Sequence, residues 1–516
     1  PGSIKTVYHT MNYSKRAVGV CFAYPALGGL LFGYDIGATS YVINQLTRAN
    51  SGVSWYKIIK HSAFLQGLIT SGGVAGALIG AIIAFRIAAE TGRRKEIIYG
   101  AWLFLLGAGL ELISGGTSSI KTSSALGLCL LITGRLVYGI ACGLVMHGAP
   151  QYIAEMTPAS LRGTLVSLKE AAIVLGISLG YAVGFAVSSI THGWQLAFGA
   201  SIPLALLLLL GASVVLPPSA RWLALRGDMK AAQRSLEFIY TTPAAVEEAM
   251  NELRQVLAQE ETIVEASVWD HKYRPALTIG IGVVLLQQLT GQPSVLYYAD
   301  SIFEDAGIGA IATVFVGIFK LIATLLAVFT IDKYGRRYLL LLGITVMFFA
   351  LFGLTAAFAF ESSGGGLSPI KLSIIIFIFI YISGYQAGFG PIAWTLISEI
   401  FPLEVRGQAV ALAVQTNFAA NLLVTFLFPV AQTSIQASLG SRFSLSFLFA
   451  IFTILDIYSF FFVKAYVPET KNLSLEQIQA RLMKRTNRLS SLDPPLLSSP
   501  TTNAMLQTTE DQDASF

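Results

Sequence analysis

Asp35 stands in the stretch LFGYDIGATS, residues 31–40, behind a run of small and apolar residues that begins near Ala17. An ionised carboxylate that deep in a membrane-spanning helix costs roughly 2.5–3.5 kcal/mol to insert, which makes it a functional residue by default, with a partner to be named. Arg135, in ITGRLVYGIACG, is the one basic residue inside the fourth apolar run and is the partner to look for. Desolvation favours a neutral acid and a nearby cation favours the anion, so such a pair can take up or release a proton as its surroundings change. The plainer alternative is a permanent ion pair that only fastens two helices together. A second group of residues is polar but uncharged. Gln287 and Gln288, Tyr297 and Tyr298, Gln386, Trp394, Asn417 and Asn421 fall in apolar runs and offer amide and hydroxyl hydrogen bonds with an aromatic platform. That is the chemistry that holds an uncharged polar ligand, and all of these are candidate ligand-binding residues. An adjacent glutamine pair in mid-span seldom serves packing alone, since both amides need partners.

The elements that carry these residues follow from composition. Of 516 residues 54% are apolar and 12% charged, with a mean hydropathy of +0.66, against about 25% charged in an ordinary soluble domain. The chain is therefore an all-α integral membrane protein, in contact with membrane lipids. Runs long enough to cross the bilayer, about 20 residues each, begin near Ala17, Ala63, Ile97, Leu126, Thr164, Gln195, Ala276, Ile308, Tyr338, Leu372, Ala409 and Phe443. Twelve spans result. The basic connections, with Arg93, Arg94 and Lys95, then Arg162, Arg221 to Arg274, Lys333 to Arg337, Arg406, and Lys484 with Arg485, fall on one side. That side is predicted to be cytoplasmic, together with both termini. The predicted organisation is a terminus over 1–16, a six-helix half over 17–216, a cytoplasmic linker with short helices over 217–274, a second half over 275–466 and a tail over 467–516, disordered after 483.

The net charge of +5 sits at helix ends and not on one face, which excludes a nucleic-acid partner. Cys21, Cys129 and Cys142 lack paired or metal-type spacing. No phosphate loop, metal cluster or nucleophile constellation is present, so no enzymatic chemistry and no ATP hydrolysis are expected. In the tail, DPPLL at Asp493 to Leu497 matches an acidic dileucine sorting signal, and sequons at Asn12 and Asn472 fall on the predicted cytoplasmic side, where they stay unglycosylated. His147 and Asp456 are two further polar residues in spans. His147 is expected as a hydrogen-bonded contact near the outer end of its helix, and Asp456 as a packing residue with a donor on a neighbour.

Two motifs occur twice. ETGRR, with Glu90, Arg93 and Arg94, answers DKYGRR, with Asp332, Arg336 and Arg337, and their glycines stand 243 residues apart. AEMTPASLRG, with Glu155 and Arg162, answers SEIFPLEVRG, with Glu399 and Arg406, at a separation of 244. One shared offset for two independent motifs means that the six-span half is duplicated, with the halves facing each other across a central cavity. The arginines are expected to meet the carboxylates of the neighbouring motif or helix C-termini, as a gate that forms in the outward-facing state and breaks in the inward-facing one.

With these motifs quoted, the chain resembles the sugar porters of the major facilitator superfamily. GYDIG at Gly33, GRR at Gly92, GRLVYG at Gly134, QQLTGQPSVLYY at Gln287, GPIAW at Gly390 and VPETKNLSLEQI at Val467 carry the resemblance, beside the duplicated pairs. The variants look most like plant-type plastidic or vacuolar glucose and xylose transporters. The resemblance implies that Asp35 takes the coupling proton and Arg135 tunes it, and that Gln287, Gln288, Trp394 and Asn417 bind the sugar. It implies no cofactor beyond the coupling ion H+, a monosaccharide substrate and a monomer, in the plasma membrane or in a vacuolar or plastid membrane. Departures are Pro293 for the family's usual Asn, Glu170 for Gln, Lys320 for Asn, Ala89 for Asp with Glu90 as its substitute, and Pro218 for Glu. Glu170 and Lys320 replace two amides by an acid and a base, and are expected to pair at the floor of the sugar site. The reading is a proton-coupled monosaccharide symporter, with a facilitative uniporter or a non-transporting sugar sensor as the alternatives.

Overall fold

The computed structural model describes residues 13–116, 123–261, 266–360, 368–402, 404–471, 473 and 477–478. The DPPLL motif, both sequons and the side chain of Asp332 lie outside the described residues. The first half contains α1 (Lys15–Leu46), α2 (Ala63–Thr91), α3 (Arg93–Ser114), α4 (Ser124–Glu155), α5 (Ala159–Val187) and α6 (Gly193–Val215). Three shorter helices follow, α7 (Ala220–Leu225), α8 (Met229–Glu237) and α9 (Pro243–Glu261). The second half contains α10 (His271–Tyr297), α11 (Ile311–Tyr334), α12 (Arg336–Phe360), α13 (Pro369–Ile400), α14 (Arg406–Leu439) and α15 (Ser441–Tyr466). Among the described residues eleven helices are long and apolar enough to span a bilayer, and the apolar stretch Ile311–Ala327 of α11 supplies the twelfth.

The short helices are polar because they carry the connection between halves, and they pin the start of the chain. Ser14 N donates to Ile239 O at 2.9 Å. The end of the bundle that holds them is the linker face, and the opposite end is the far face.

Inside a bilayer, helices gain little from the hydrophobic effect and associate where small residues let backbones approach. A Cβ on Gly33 would lie 1.8 Å from Ile173 O, and one on Gly139 would lie 2.0 Å from Gly73 O. These contacts seat α1 on α5 and α2 on α4. Between halves, α2 packs on α14 and α5 on α11.

Two helices are broken, each by a recognisable local cause. In QQLTGQP, Gly291 adopts φ +94° and Pro293 restarts the helix, so α10 is interrupted just after Gln287 and Gln288. In GYQAGFGP, Gly388 interrupts α13 two residues after Gln386. The sixth span ends in a π turn, Gly211–Val215.

The halves are tied at the far face. Tyr41 Oη donates to Ala310 O at 2.6 Å, Tyr181 Oη to Leu296 O at 2.7 Å, and Asp300 N to Ser40 Oγ at 3.0 Å. Asn44 Nδ2 donates to Asp300 Oδ2 at 2.7 Å and to Glu304, which also pairs with Arg48.

Candidate functional site

Asp35 and Arg135 meet as their types suggested. Each lies eleven residues from the far-face end of its helix, about 16 Å along the axis. The guanidinium holds the carboxylate with both terminal nitrogens, NH1 to Oδ1 and NH2 to Oδ2 at 2.9 Å. Arg135 Nε donates to Ile69 O at 3.2 Å, and the cation lies 5.1 Å over the Phe198 ring. Gly73 makes the room, since a Cβ there would stand 2.7 Å from Arg135 NH2. Asp35 is 4% exposed and Arg135 0%, so the pair is desolvated. Such a pair survives only while both charges are matched.

The uncharged residues form a second cluster in the second half, where the two broken helices meet. Gln287 Nε2 donates to Phe389 O, at the break in α13, at 2.9 Å, and Asn417 Nδ2 donates to Gln287 Oε1 at 3.3 Å. Asn421 Nδ2 donates to Gln288 Oε1 at 3.4 Å, and Gln386 Nε2 to Thr324 Oγ1 at 2.6 Å. Trp394 and Asn417 are half-buried, whereas Gln287, Gln288 and Gln386 are buried. The interrupted backbone and linked amides gather these polar groups into one cluster, the arrangement by which discontinuous helices build a midplane site in transporters. Tyr298 is placed otherwise: its hydroxyl donates to Thr425 O at 3.0 Å and its ring stacks on Phe428. Tyr297 is 1% exposed, on the face toward Asp35 and Arg135. These two tyrosines are packed in the interior of the bundle. Tyr385, absent from the sequence expectation, lies beside Gln287 and under the Lys320 ammonium, 5.2 Å from its ring centre.

Glu170 and Lys320 come into electrostatic reach across α5 and α11. The expected ion pair is not formed in this conformation. Lys320 Nζ donates instead to Gln386 Oε1 at 2.6 Å, so the cation is satisfied by an amide of the sugar cluster. Neutralising either residue alone, by Glu170→Gln or Lys320→Asn, should cut uptake about tenfold, about 1.4 kcal/mol, and the double variant should recover most of it. Equal damage in all three, measured as initial uptake rates, would end the idea that they act as a pair.

The duplicated motifs build two matching clusters at the linker face. Gly92 and Gly335 take nearly the same backbone conformation, φ +75° and +91°, at the turns that start α3 and α12. Arg93 faces Glu155 at 3.5 Å, and Arg336 pairs with Glu399 at 2.9 Å. The second arginine of each turn caps the last helix of its own half: Arg94 Nε donates to Ala212 O and Arg337 NH2 to Lys464 O, both at 2.9 Å. Ser219 donates to Glu155 and Thr470 to Glu399. These ties run within a half, so a rigid-body movement of one half against the other leaves them intact, contrary to the expectation that they break with the gate. The clusters differ in one respect. Glu469 accepts from Arg336 N and Arg337 N at 2.9 and 3.1 Å, and Pro218 offers nothing comparable to α3. Glu90 is exposed and does not replace the missing Asp; Glu96 supplies the second carboxylate near Arg93, at 3.5 Å. Arg162 is exposed, and Arg406 Nε donates to Phe401 O at 3.2 Å.

Three intramembrane groups correct or extend the sequence expectation. His147 lies near the linker face, not the outer end, because α4 ends at Glu155 on that face; its ring bonds Glu96 Oε2 at 2.9 Å and the Gln151 amide at 3.1 Å. Asp456 has no donor: both oxygens are buried without a hydrogen-bond partner, and nothing in the structure explains it. Glu111, in GAGLELIS, is fully buried, with Oε1 3.5 Å from Arg135 NH1. The insertion cost that singled out Asp35 applies to Glu111 as well, but its place close to the end of a run disguised it as an interfacial residue.

Two repeated six-helix halves, closed at one face above a cluster of amides on broken helices and a buried acid–guanidinium pair, define a secondary transporter. The sequence profile described as "Sugar (and other) transporter" matches residues 21–482. The chain belongs to that family. It is 41% identical over 501 residues to D-xylose-proton symporter-like 2 of Arabidopsis thaliana, covering 93% of this chain and 94% of that one. The D-xylose transporter of Levilactobacillus brevis is 34% identical over 482 residues, covering 92% and 97%. Among solved structures, the inward-open xylose transporter XylE from E. coli superposes with a TM-score of 0.74 at 27% identity, covering 90% of this chain and 99% of that one.

Proposed function

We propose that this protein is a proton-coupled monosaccharide symporter of the xylose and glucose class, working by alternating access. Asp35 binds the coupling proton, Arg135 tunes it, and Gln287, Gln288, Gln386, Trp394, Asn417 and Asn421 hold the sugar. The linker face is cytoplasmic and the present conformation is inward-facing, with the far face latched. The observation that carries the reading is the fully desolvated Asp35–Arg135 pair at mid-membrane, joined to relatives named as xylose–proton symporters. Uptake of labelled xylose and glucose into proteoliposomes tests it. An imposed inward proton gradient should drive accumulation above equilibrium. Equilibration indifferent to the gradient would make the protein a uniporter, and sugar binding without flux would make it a sensor.

The far-face latch adds a pH dependence. Asp300 lies in the short helix Ala299–Asp305 beyond the span of α10, and burial pushes its carboxyl up to about 6, opposed in part by the bond from Asn44. Opening solvates the group and returns it toward about 3.9. The closed latch therefore binds the proton more tightly; its extra stability is present below about pH 4 and is lost as pH rises through about 6. Distances between spin labels across the far face should lengthen over that interval, and Asp300→Asn should flatten the response.

A further inference from the structure

The Asp35–Arg135 site holds a second carboxyl group beside its single guanidinium. Asp35 on α1 and Glu111 on α3 both face the Arg135 guanidinium of α4, and among the described residues no second cation reaches them. Glu111 is 0% exposed, its Oε2 has no hydrogen-bond partner, and Gly134 is the glycine that makes space for it, since a Cβ there would lie 2.8 Å from Glu111 Cγ. The elements packed around Glu111 add no compensating charge. Tyr138 and Cys142 on α4 and Tyr34 on α1 are near the cluster, and Tyr297 reaches it from the second half; phenols and thiols are uncharged at neutral pH. From α2 come the Ile69 carbonyl and Gly73, and from α6 the Phe198 ring.

Two carboxylates sharing one guanidinium in a desolvated site cannot both stay ionised without a net buried charge, so the pair binds a proton more tightly than either acid alone beside the same arginine. The geometry points to Glu111 as a second acid of the coupling site: it takes over as the counter-ion of Arg135 when Asp35 is protonated, and so raises the proton affinity of Asp35. The charge balance is simple. With both carboxyls ionised the site would carry Asp35⁻, Glu111⁻ and Arg135⁺, a net −1. One proton on Asp35 leaves a neutral Arg135–Glu111 pair instead of an unmatched guanidinium, because Glu111 Oε1 already stands 3.5 Å from Arg135 NH1 and can replace Asp35 as its counter-ion.

This inference rests on the reading of Asp35 as the proton acceptor, and the experiment separates the two. Gradient-driven xylose uptake is measured against external pH for wild type, Glu111→Gln, Glu111→Met, Glu111→Asp and Asp35→Asn, with sugar counterflow as the control for a folded, binding protein. Glu111→Gln and Glu111→Met should keep counterflow, and the pH of half-maximal driven uptake should move to the acid side by about one unit or more. Glu111→Asp, which restores the charge, should bring the profile back toward wild type. The methionine variant carries no polar group into the site and provides the answer if the glutamine variant does not fold. An unmoved profile in variants that still transport, with Asp35→Asn uncoupled, would reduce Glu111 to a permanently neutral packing residue and overturn this inference alone. Driven accumulation that persists in Asp35→Asn would overturn the coupling role of Asp35 itself.

Discussion

Replacing Asp35 by asparagine should abolish proton-driven sugar accumulation while sugar exchange survives. One pH unit is about 1.36 kcal/mol, so a one-to-one symporter can sustain about a tenfold sugar gradient on it. Wild-type proteoliposomes should approach that ratio, and the variant should stop at equality. Counterflow should persist within about threefold, because the amide is nearly the same size and Arg135, otherwise left without its bidentate partner, has Glu111 at 3.5 Å as a residual counter-ion. Removing the arginine instead, by Arg135→Ala, would leave two buried carboxylates without any cation, and that variant should fail to fold or transport. Loss of both accumulation and counterflow in Asp35→Asn, with sugar binding gone, would return Asp35 to the role of a structural clamp.

Gln287→Ala should weaken sugar binding by about 10- to 100-fold, as expected when a buried hydrogen-bonding group goes and its partners are left unsatisfied at about 1–3 kcal/mol. Gln287 is the junction of the cluster: it donates to the Phe389 carbonyl exposed by the break in α13 and accepts from Asn417. Its loss removes any bond to the sugar and also frees Asn417 to turn away. Calorimetric titration of xylose and glucose into purified protein measures the effect. Affinity within twofold of wild type would place the sugar elsewhere. Tyr298→Phe is the control, since its hydroxyl is held by Thr425 O; it should lower thermal stability and leave affinity nearly unchanged.

Much of this was legible without coordinates. Length and hydropathy give the twelve spans, because a helix is the only open segment that satisfies its own backbone in lipid. The repeat follows from two motifs at one offset. The chemistry of Asp35, Arg135 and the amides follows from the cost of placing such groups in apolar runs. Even the partners of Arg93 and Arg94, a carboxylate and a helix C-terminus, follow from charge and from the dipole.

The tertiary structure decided what no span reveals alone, since a side chain's partners in a bundle come from other helices at unrelated sequence distances. Glu111 and Arg135 are 24 residues apart on antiparallel neighbours, which turns an apparent ion pair into a triad of two carboxyls and one guanidinium. Lys320 meets Gln386 and leaves Glu170 unpaired, because a buried ammonium takes whichever acceptor its rotamers reach. Tyr297 and Tyr298 share the motif of the glutamines, but the break at Gly291 turns that segment so that both rings pack inward. Hydropathy and motif fix which residues enter the membrane; only the packing of one helix face against another fixes which of them share a charge, a hydrogen bond or a cavity.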